Sequence, residues 1–326
     1  ELEDDPAAKL KTEMMPDFSK SVISRNSSPD IPFDRSINPY KGCEHGCIYC
    51  FARPTHSYLS LSPGLDFETK IFFKDNAAAI LEKELRQPDY KCKPIAIGVN
   101  TDAYQPAEKE YEVTRSILEV LSAYNHPVSI ITKSSRILRD LDILAPMGQK
   151  YLAHVMISIT TLESSLARTM EPRASRPSNR LATMKELNDA GVPTGVLAAP
   201  IIPAINDSEL EAILEASAGS GACQADYIML RLPFEVKELF QNWLEVHFPD
   251  RTNRVLSLIR QSRGGKLNTA KFGSRMRGTG PYAEMLNKRY KLACRRLGLN
   301  QRNKKWDFDC SRFQLPLQAG DQMQLI

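Results

Sequence analysis

Between Ser36 and Leu232 the chain alternates short apolar runs with amphipathic stretches of helical period, and that alternation constrains the fold more than any other feature. "SINPYKG" (36–42) predicts a short strand entering a cysteine-rich loop, and "TKIFF" (69–73) an edge strand. "IAIGV" (95–99), "VSIIT" (128–132), "LAHVMISIT" (152–160), "TGVLAAPII" (194–202) and "DYIMLRL" (226–232) predict further strands. Helices are expected between them at 75–87 with Asp75 as N-cap, at 108–124, at 135–147, at 178–191 with Ser178 as cap and Gly191 as stop, and at 207–221. Crossovers between parallel strands of one sheet are right-handed. About six such units are present, where eight would close a full barrel. The expected fold class is therefore α/β, a partial (β/α)6 barrel whose ligand site lies at the C-terminal strand ends. After Pro233 the pattern turns helical, at 235–247, 251–263 and 281–297. The expected organisation is an N-terminal extension over 1–35 (flexible, or a strap on the surface), a core over 36–235 and a helical, basic C-terminal region over 236–326.

Composition narrows the class. The chain has 326 residues, 42% hydrophobic and 25% charged, as in an ordinary globular protein. No apolar run approaches the roughly 20 residues that span a bilayer, so no membrane partner is expected and a cytosolic location is the default. The net charge of +4 conceals a split. Residues 251–305 hold 16 Lys and Arg against one acid, Glu284. A basic face of that strength points to a polyanion such as nucleic acid, or to a solvated surface that balances the acidic remainder.

Seven cysteines make a poor disulfide framework, and three of them fall within "GCEHGCIYC" (42–50). A structural zinc site needs four closed positions. Cys43, Cys47 and Cys50 supply three, with no second cysteine pair nearby, and His45 or His56 as a fourth ligand has no familiar spacing. A cubic iron–sulfur cluster takes a thiolate on each iron. Three thiolates leave one iron open, and an open metal position is where a substrate or cofactor binds.

The spacing C-x3-C-x-aromatic-C, in the loop after the first strand of such a unit, resembles the radical S-adenosylmethionine (SAM) superfamily over about residues 36–235. The resemblance implies a [4Fe-4S] cluster on Cys43, Cys47 and Cys50, SAM chelated at the open iron, reductive cleavage to a 5′-deoxyadenosyl radical, and an electron donor such as flavodoxin or ferredoxin. It places Tyr49 against the adenine. "TDAYQPAEKEYEVTR", "ITKSS", "SITTLESSLARTMEPRA" and "RGGKLN…RMRGTGPYAEML" resemble a bacterial group related to spore photoproduct lyase, an enzyme that repairs thymine dimers in DNA. The expected function is thus hydrogen abstraction from a substrate, with nucleic acid leading. Modification of a small molecule or peptide, and a non-enzymatic zinc-stabilised nucleic-acid binder, are the alternatives.

The same resemblance nominates residues around SAM. Asn100, Thr101 and Asp102 end the second strand, where an ammonium needs acceptors; a turn capped by Asp102 is the plainer reading. Lys133 would pair with the SAM carboxylate, and Ser158 and Thr160, two apart on one strand face, would reach ribose or carboxylate. Arg173 has the fork that suits a carboxylate, or else holds Glu171 or the loop. The stretch from Ala198 to Ile202 would contact adenine. The chain departs from the lyase at one point. Val99 or Asn100 stands where the lyase carries its hydrogen-donating cysteine, leaving Cys223, Cys294 and Cys310 as alternative donors, each also readable as a small buried hydrophobe.

Overall fold

Ten strands form two sheets in the computed structural model, which describes residues 11–301 and 306–317. They are β1 (Glu13–Pro16), β2 (Ser24–Arg25), β3 (Arg35–Ile37), β4 (Tyr40–Lys41), β5 (Lys70–Phe73), β6 (Ile95–Ile97), β7 (Val128–Thr132), β8 (Ala153–Ser158), β9 (Thr194–Ile201) and β10 (Gln224–Met229). The larger sheet has the order β10-β9-β8-β7-β6-β3-β2. From β3 to β10 every pairing is parallel, and only β2 runs antiparallel. Spatial order follows chain order, so each crossover moves one strand along and the helices stack on one face. The wall does not close: β10 pairs only with β9, and β2 covers the far edge. This is the partial six-stranded barrel. Inside the helix layer Ile97, Ile130, Val155, Val196, Leu118 and Leu214 are fully buried.

The differences from expectation have local causes. Residues 69–73 do not form an edge, because β1 pairs parallel with β5 on one side and β4 antiparallel on the other. Residues 11–35 lie against the core as a strap: Val22 is buried, and the Val22 and Ile23 amides donate to the Glu84 carboxylate at 3.0 and 3.1 Å. Residues 1–10 lie outside the described residues. The helix expected over 75–87 spans Ala77–Leu85 with Asn76 rather than Asp75 at its N-cap, and no hydrogen bond from the Asn76 side chain caps it. The single helix expected over 108–124 is two, Glu108–Tyr111 and Val113–Ala123, broken at Glu112 (φ 48°). The buried Glu108 carboxylate turns back to accept from the Thr114 and Arg115 amides at 3.0 and 3.2 Å, capping the second piece. Ser178 lies inside its helix, because Pro177 takes the first position, and Gly191 (φ 87°) follows the end of Pro177–Asp189.

The C-terminal helices are Val236–His247, Thr252–Ser262 and Gly280–Leu297. The described residues beyond that last helix form no α-helix and carry a short 3-10 turn at Cys310–Arg312. Residues 306–317 return beneath the sheet, where Trp306 and Phe308 stack on His154 with ring centroids 4.0 and 4.3 Å away. The Gln314 amide donates to the Tyr124 carbonyl at 3.1 Å, and Arg86 reaches the Pro316 carbonyl at 2.8 Å. A clasp crosses the open side of the barrel. The Met229 amide at the end of β10 donates to the Met276 carbonyl at 2.9 Å. From the same loop the Gly273 amide and Arg275 Nε donate to Asp30 at 2.6 and 2.5 Å, and Arg275 Nη2 reaches Ser28 at 2.6 Å.

Burial holds two histidines of this framework uncharged, with His126 depressed to about 4 and His154 to about 3. Unfolded histidines protonate below roughly 6.5. Acid therefore favours the unfolded chain, and stability falls as pH drops from about 6.5 toward 4. Urea midpoints at successive pH values will show that fall, and His126→Gln will lessen its slope by about one proton, or ~1.4 kcal/mol per pH unit.

Candidate active site

β3 and β4 deliver the cysteine loop to the C-terminal edge of the sheet. Two arginines then hold its backbone. Arg53, 1% exposed, donates from Nε to the Cys47 carbonyl at 2.9 Å, from Nη1 to Gly64 O at 2.9 Å, and pairs with Glu68 at 2.5 Å. Arg173 donates to the Glu44 carbonyl and pairs with the other Glu68 oxygen, while its amide donates to the His45 carbonyl at 3.3 Å. Gly46 adopts φ 68°, and a Cβ there would collide with the Arg173 guanidinium. Gln105 completes the frame, accepting from the Glu44 amide at 2.9 Å and donating to Gly42 O at 3.2 Å.

The loop closes one side of a cavity of about 240 Å³. Cys43, Cys47, Tyr49 and Cys50 line it together with Asn100, Thr101, Asp102, Lys133 and Ser158. Burial raises all three thiol pKa values; at Cys43 the charges of Asp102, Cys47 and Cys50 add to the effect. Such thiols ionise only with a cation in their midst, and a bound metal deprotonates them outright. His45, 2% exposed, has its Nδ1 3.5 Å from the Asp102 carboxylate without a hydrogen bond among the described residues and stays neutral, depressed to about 4 by burial against the opposing Asp102 charge. Among the described residues no three His, Cys, Asp or Glu side chains are grouped to hold a single metal ion. Cys43 and Cys47 are buried and Cys50 half-buried, all three on one cavity wall, and a cubane takes a thiolate on each iron rather than several on one ion.

Behind the loop sits a polar knot. Glu171, 2% exposed, accepts from the Tyr49 hydroxyl and from Arg180 Nη2, and Thr160 Oγ1 lies 2.6 Å from it. Arg180, 1% exposed, also donates to the carbonyls of Ser175 (2.7 Å) and Ser158 (3.0 Å). Burial raises the Glu171 pKa, opposed by the Arg180 charge. Lys133 Nζ donates to Ser158 Oγ at 2.8 Å, lies 3.9 Å from Glu171 and sits 6.0 Å from the centre of the Tyr49 ring. Burial lowers its pKa, and the Cys47 charge opposes that. Asp102 is used by the fold: it accepts from Thr132 Oγ1 and the Lys133 amide, both at 2.7 Å, and from the Tyr104 amide at 2.9 Å. Thr101 donates to the Tyr40 carbonyl at 2.8 Å.

Four nominated residues are not on the cavity wall. Thr160 stands behind Tyr49 and Arg173 braces the loop. Ala198 is in the sheet–helix core, because along β9 it is Leu197, Ala199 and Pro200 that face the cavity. Ile202 packs with Cys47, Tyr49 and Met170 in a second apolar cluster. Val99 and Asn100 do line the wall, but Cys92, Cys223, Cys294 and Cys310 do not.

A family model described as the radical SAM superfamily matches residues 37–216, more than half of the chain. The chain belongs to that superfamily. Membership implies a [4Fe-4S] cluster and SAM, and makes the protein a radical SAM enzyme. An uncharacterised protein of Mycobacterium tuberculosis is 37% identical over 245 residues, 74% of this chain and 72% of that one. An uncharacterised protein of Methanocaldococcus jannaschii is 26% identical over 240 residues, 74% of this chain and 85% of its own. Among solved structures, a spore photoproduct lyase variant with bound AdoMet and dinucleoside spore photoproduct is similar in fold, with a TM-score of 0.61, 16% identity, and coverage of 88% of this chain and 80% of the lyase. Among the described residues, no helix is long and apolar enough to cross a membrane.

Sequence reasoning missed Arg180 and Arg231, met Glu171 only as a partner for Arg173, and met His45 only as a candidate zinc ligand. Attention to "MEPRA" went to Arg173, although Glu171 is the buried member, and nothing in the sequence marks Arg180 as its partner nine residues on. Glu171→Ala should leave Arg180 buried and unpaired, lowering stability by about 3–5 kcal/mol. Glu171→Gln, which keeps an acceptor, should cost clearly less in the same urea titration.

Proposed function

We propose that the protein binds a [4Fe-4S] cluster through Cys43, Cys47 and Cys50, holds SAM against it, and takes a hydrogen atom from a nucleic-acid substrate at the C-terminal mouth of the barrel. The carrying observation is the convergence of two buried thiols, the half-buried Cys50, Tyr49 and Lys133 on one cavity at the strand ends. When bound, the cluster supplies the electron that cleaves the SAM sulfonium bond to the 5′-deoxyadenosyl radical. The chain's own residues do the rest. Lys133, steadied by Ser158, offers its ammonium to the SAM carboxylate. Asn100, whose side chain makes no hydrogen bond among the described residues, offers an acceptor to the SAM amine. Tyr49, pinned through its hydroxyl, presents its ring to the adenine. Arg173 positions the loop rather than the ligand.

Nucleic acid is favoured by the basic C-terminal region and by the fold shared with a lyase that binds a dinucleoside lesion. Arg263, Arg275, Arg277 and Arg289 of that region are committed to carbonyls or carboxylates within the protein. Arg251, Arg254, Arg260, Lys266, Lys271, Lys288, Lys291, Arg295 and Arg296 are exposed. Arg302, Lys304 and Lys305 lie outside the described residues. The second reading, a small molecule or peptide as substrate, draws on the size of the cavity and on a neighbouring one of about 630 Å³, the two sharing Ile31, Phe33, Ile131, Leu197, Ile228 and Met276 as lining. A ferredoxin or flavodoxin is the electron-donor class in either case.

Anaerobically reconstituted protein with SAM and a reductant should form 5′-deoxyadenosine, faster with a member of a panel of damaged DNA and RNA. Nucleic-acid affinity should fall steeply with salt. Stimulation by small metabolites alone, with salt-insensitive binding, would sink the nucleic-acid reading. Cys47→Ala should abolish both the iron–sulfur absorbance and 5′-deoxyadenosine; retention of either excludes the cluster assignment. Lys133→Ala should raise the KM for SAM roughly 10-fold or more, the worth of one charged hydrogen bond.

A further inference from the structure

Two cations line the cavity among the described residues, and they are differently placed. Lys133 follows β7 and is engaged with Ser158. Arg231 follows β10, three strands away, roughly 14 Å along the sheet at the usual strand spacing. Its Nε is buried with no hydrogen-bond partner, and Nη1 meets only the Met276 sulfur, at 3.8 Å. The guanidinium lies over the ring of Phe51, 5.2 Å from its centre, and Phe51 directly follows Cys50. No carboxylate lies within ion-pair distance of it among the described residues.

The surroundings sharpen the point. Arg231 shares this corner with Arg263, Arg275 and one acid, Asp30. Arg275 and the Gly273 amide occupy Asp30. Arg263 spends its donors on the carbonyls of Met229, Leu230, Ser274 and Arg275. Three guanidiniums therefore face one carboxylate, and Arg231 is the one that makes no hydrogen bond to an oxygen among the described residues. An uncompensated, half-buried positive charge beside an apolar cavity is costly to the folded protein. It is offset when an anion enters with the substrate.

We propose that Arg231 anchors an oxyanionic group of the substrate, phosphate or carboxylate, beside the cysteine loop. The proposal rests on the reading of this cavity as the substrate site. Lys133 then serves SAM and Arg231 the substrate, from opposite ends of the same strand row. The planar fork accepts two oxygens at once, and Phe51 holds its plane.

The test uses reconstituted, SAM-loaded full-length protein under anaerobic conditions. Calorimetric titration compares thymidine 5′-monophosphate with thymidine, and orotate with uracil. At least one anionic member should bind about 10-fold or more tightly than its neutral partner. The pair that shows the preference tells phosphate from carboxylate. Arg231→Gln should bring that pair to within about 2-fold, and Arg231→Lys should retain part of the preference. Equal binding within both pairs by the unmutated protein, or an undiminished preference in Arg231→Gln, would overturn the assignment. Thermal melting separates a structural role: without ligand, Arg231→Gln should melt at or above the unmutated protein, since it removes an unpaired charge. A clearly lower melting temperature would mark the arginine as structural and reject the anchor. A phosphate preference that depends on Arg231, with no stimulation by nucleic acid, would count against the nucleic-acid reading while leaving the anchor standing.

Discussion

The buried pair between Glu171 and Arg180 is the contact on which the site depends. It joins three otherwise separate pieces: the cysteine loop through Tyr49, the end of β8 through Ser158 O and Thr160, and the helix Pro177–Asp189 through Arg180 itself. Charges out of water are tolerated only when their remaining donors and acceptors are filled. Here they are filled by the groups that must be held still. A Tyr49 ring free to turn would leave the wall beside Cys50 unformed.

A second pattern is the division of arginines. Arg53 and Arg173 fasten the cysteine loop, Arg263 and Arg275 fasten the clasp across the open barrel, and Arg180 fastens the floor. Their planar forks present up to five donors in fixed directions, which the compact ammonium of lysine does not. Arg263, Arg275, Arg277 and Arg289 of the basic C-terminal sequence are thus internal fastening, and the surface left to a polyanion is smaller than the charge count implies. Arg231 stands out against this background because it fastens nothing.

The alternation of apolar runs made the parallel sheet legible, since buried strands and crossover helices differ in period. The cysteine spacing made the metal chemistry legible, since ligand type and number are local. The helix start at Pro177 and the break at Glu112 were not. The first turned on a choice between neighbouring cap candidates, and the second on a buried carboxylate closing back on amides six and seven residues away. The pairing of β1 with β5 was equally hidden, because "EMMP" is too short to show a period and its partner lies 57 residues on.

By itself, the sequence determined the fold class and the family and nominated three clustered cysteines, because each is written in residues close together along the chain. The tertiary structure decided which nominated residues reach the cavity. Strand alternation turned Ala198 toward the helices and Leu197 and Ala199 toward the site; Asp102 was consumed by backbone amides; Arg173 went to the loop. It also assembled Glu171 with Arg180 and left Arg231 without a partner. Those outcomes depend on which donors meet which acceptors across the fold, and that is set by packing between distant segments.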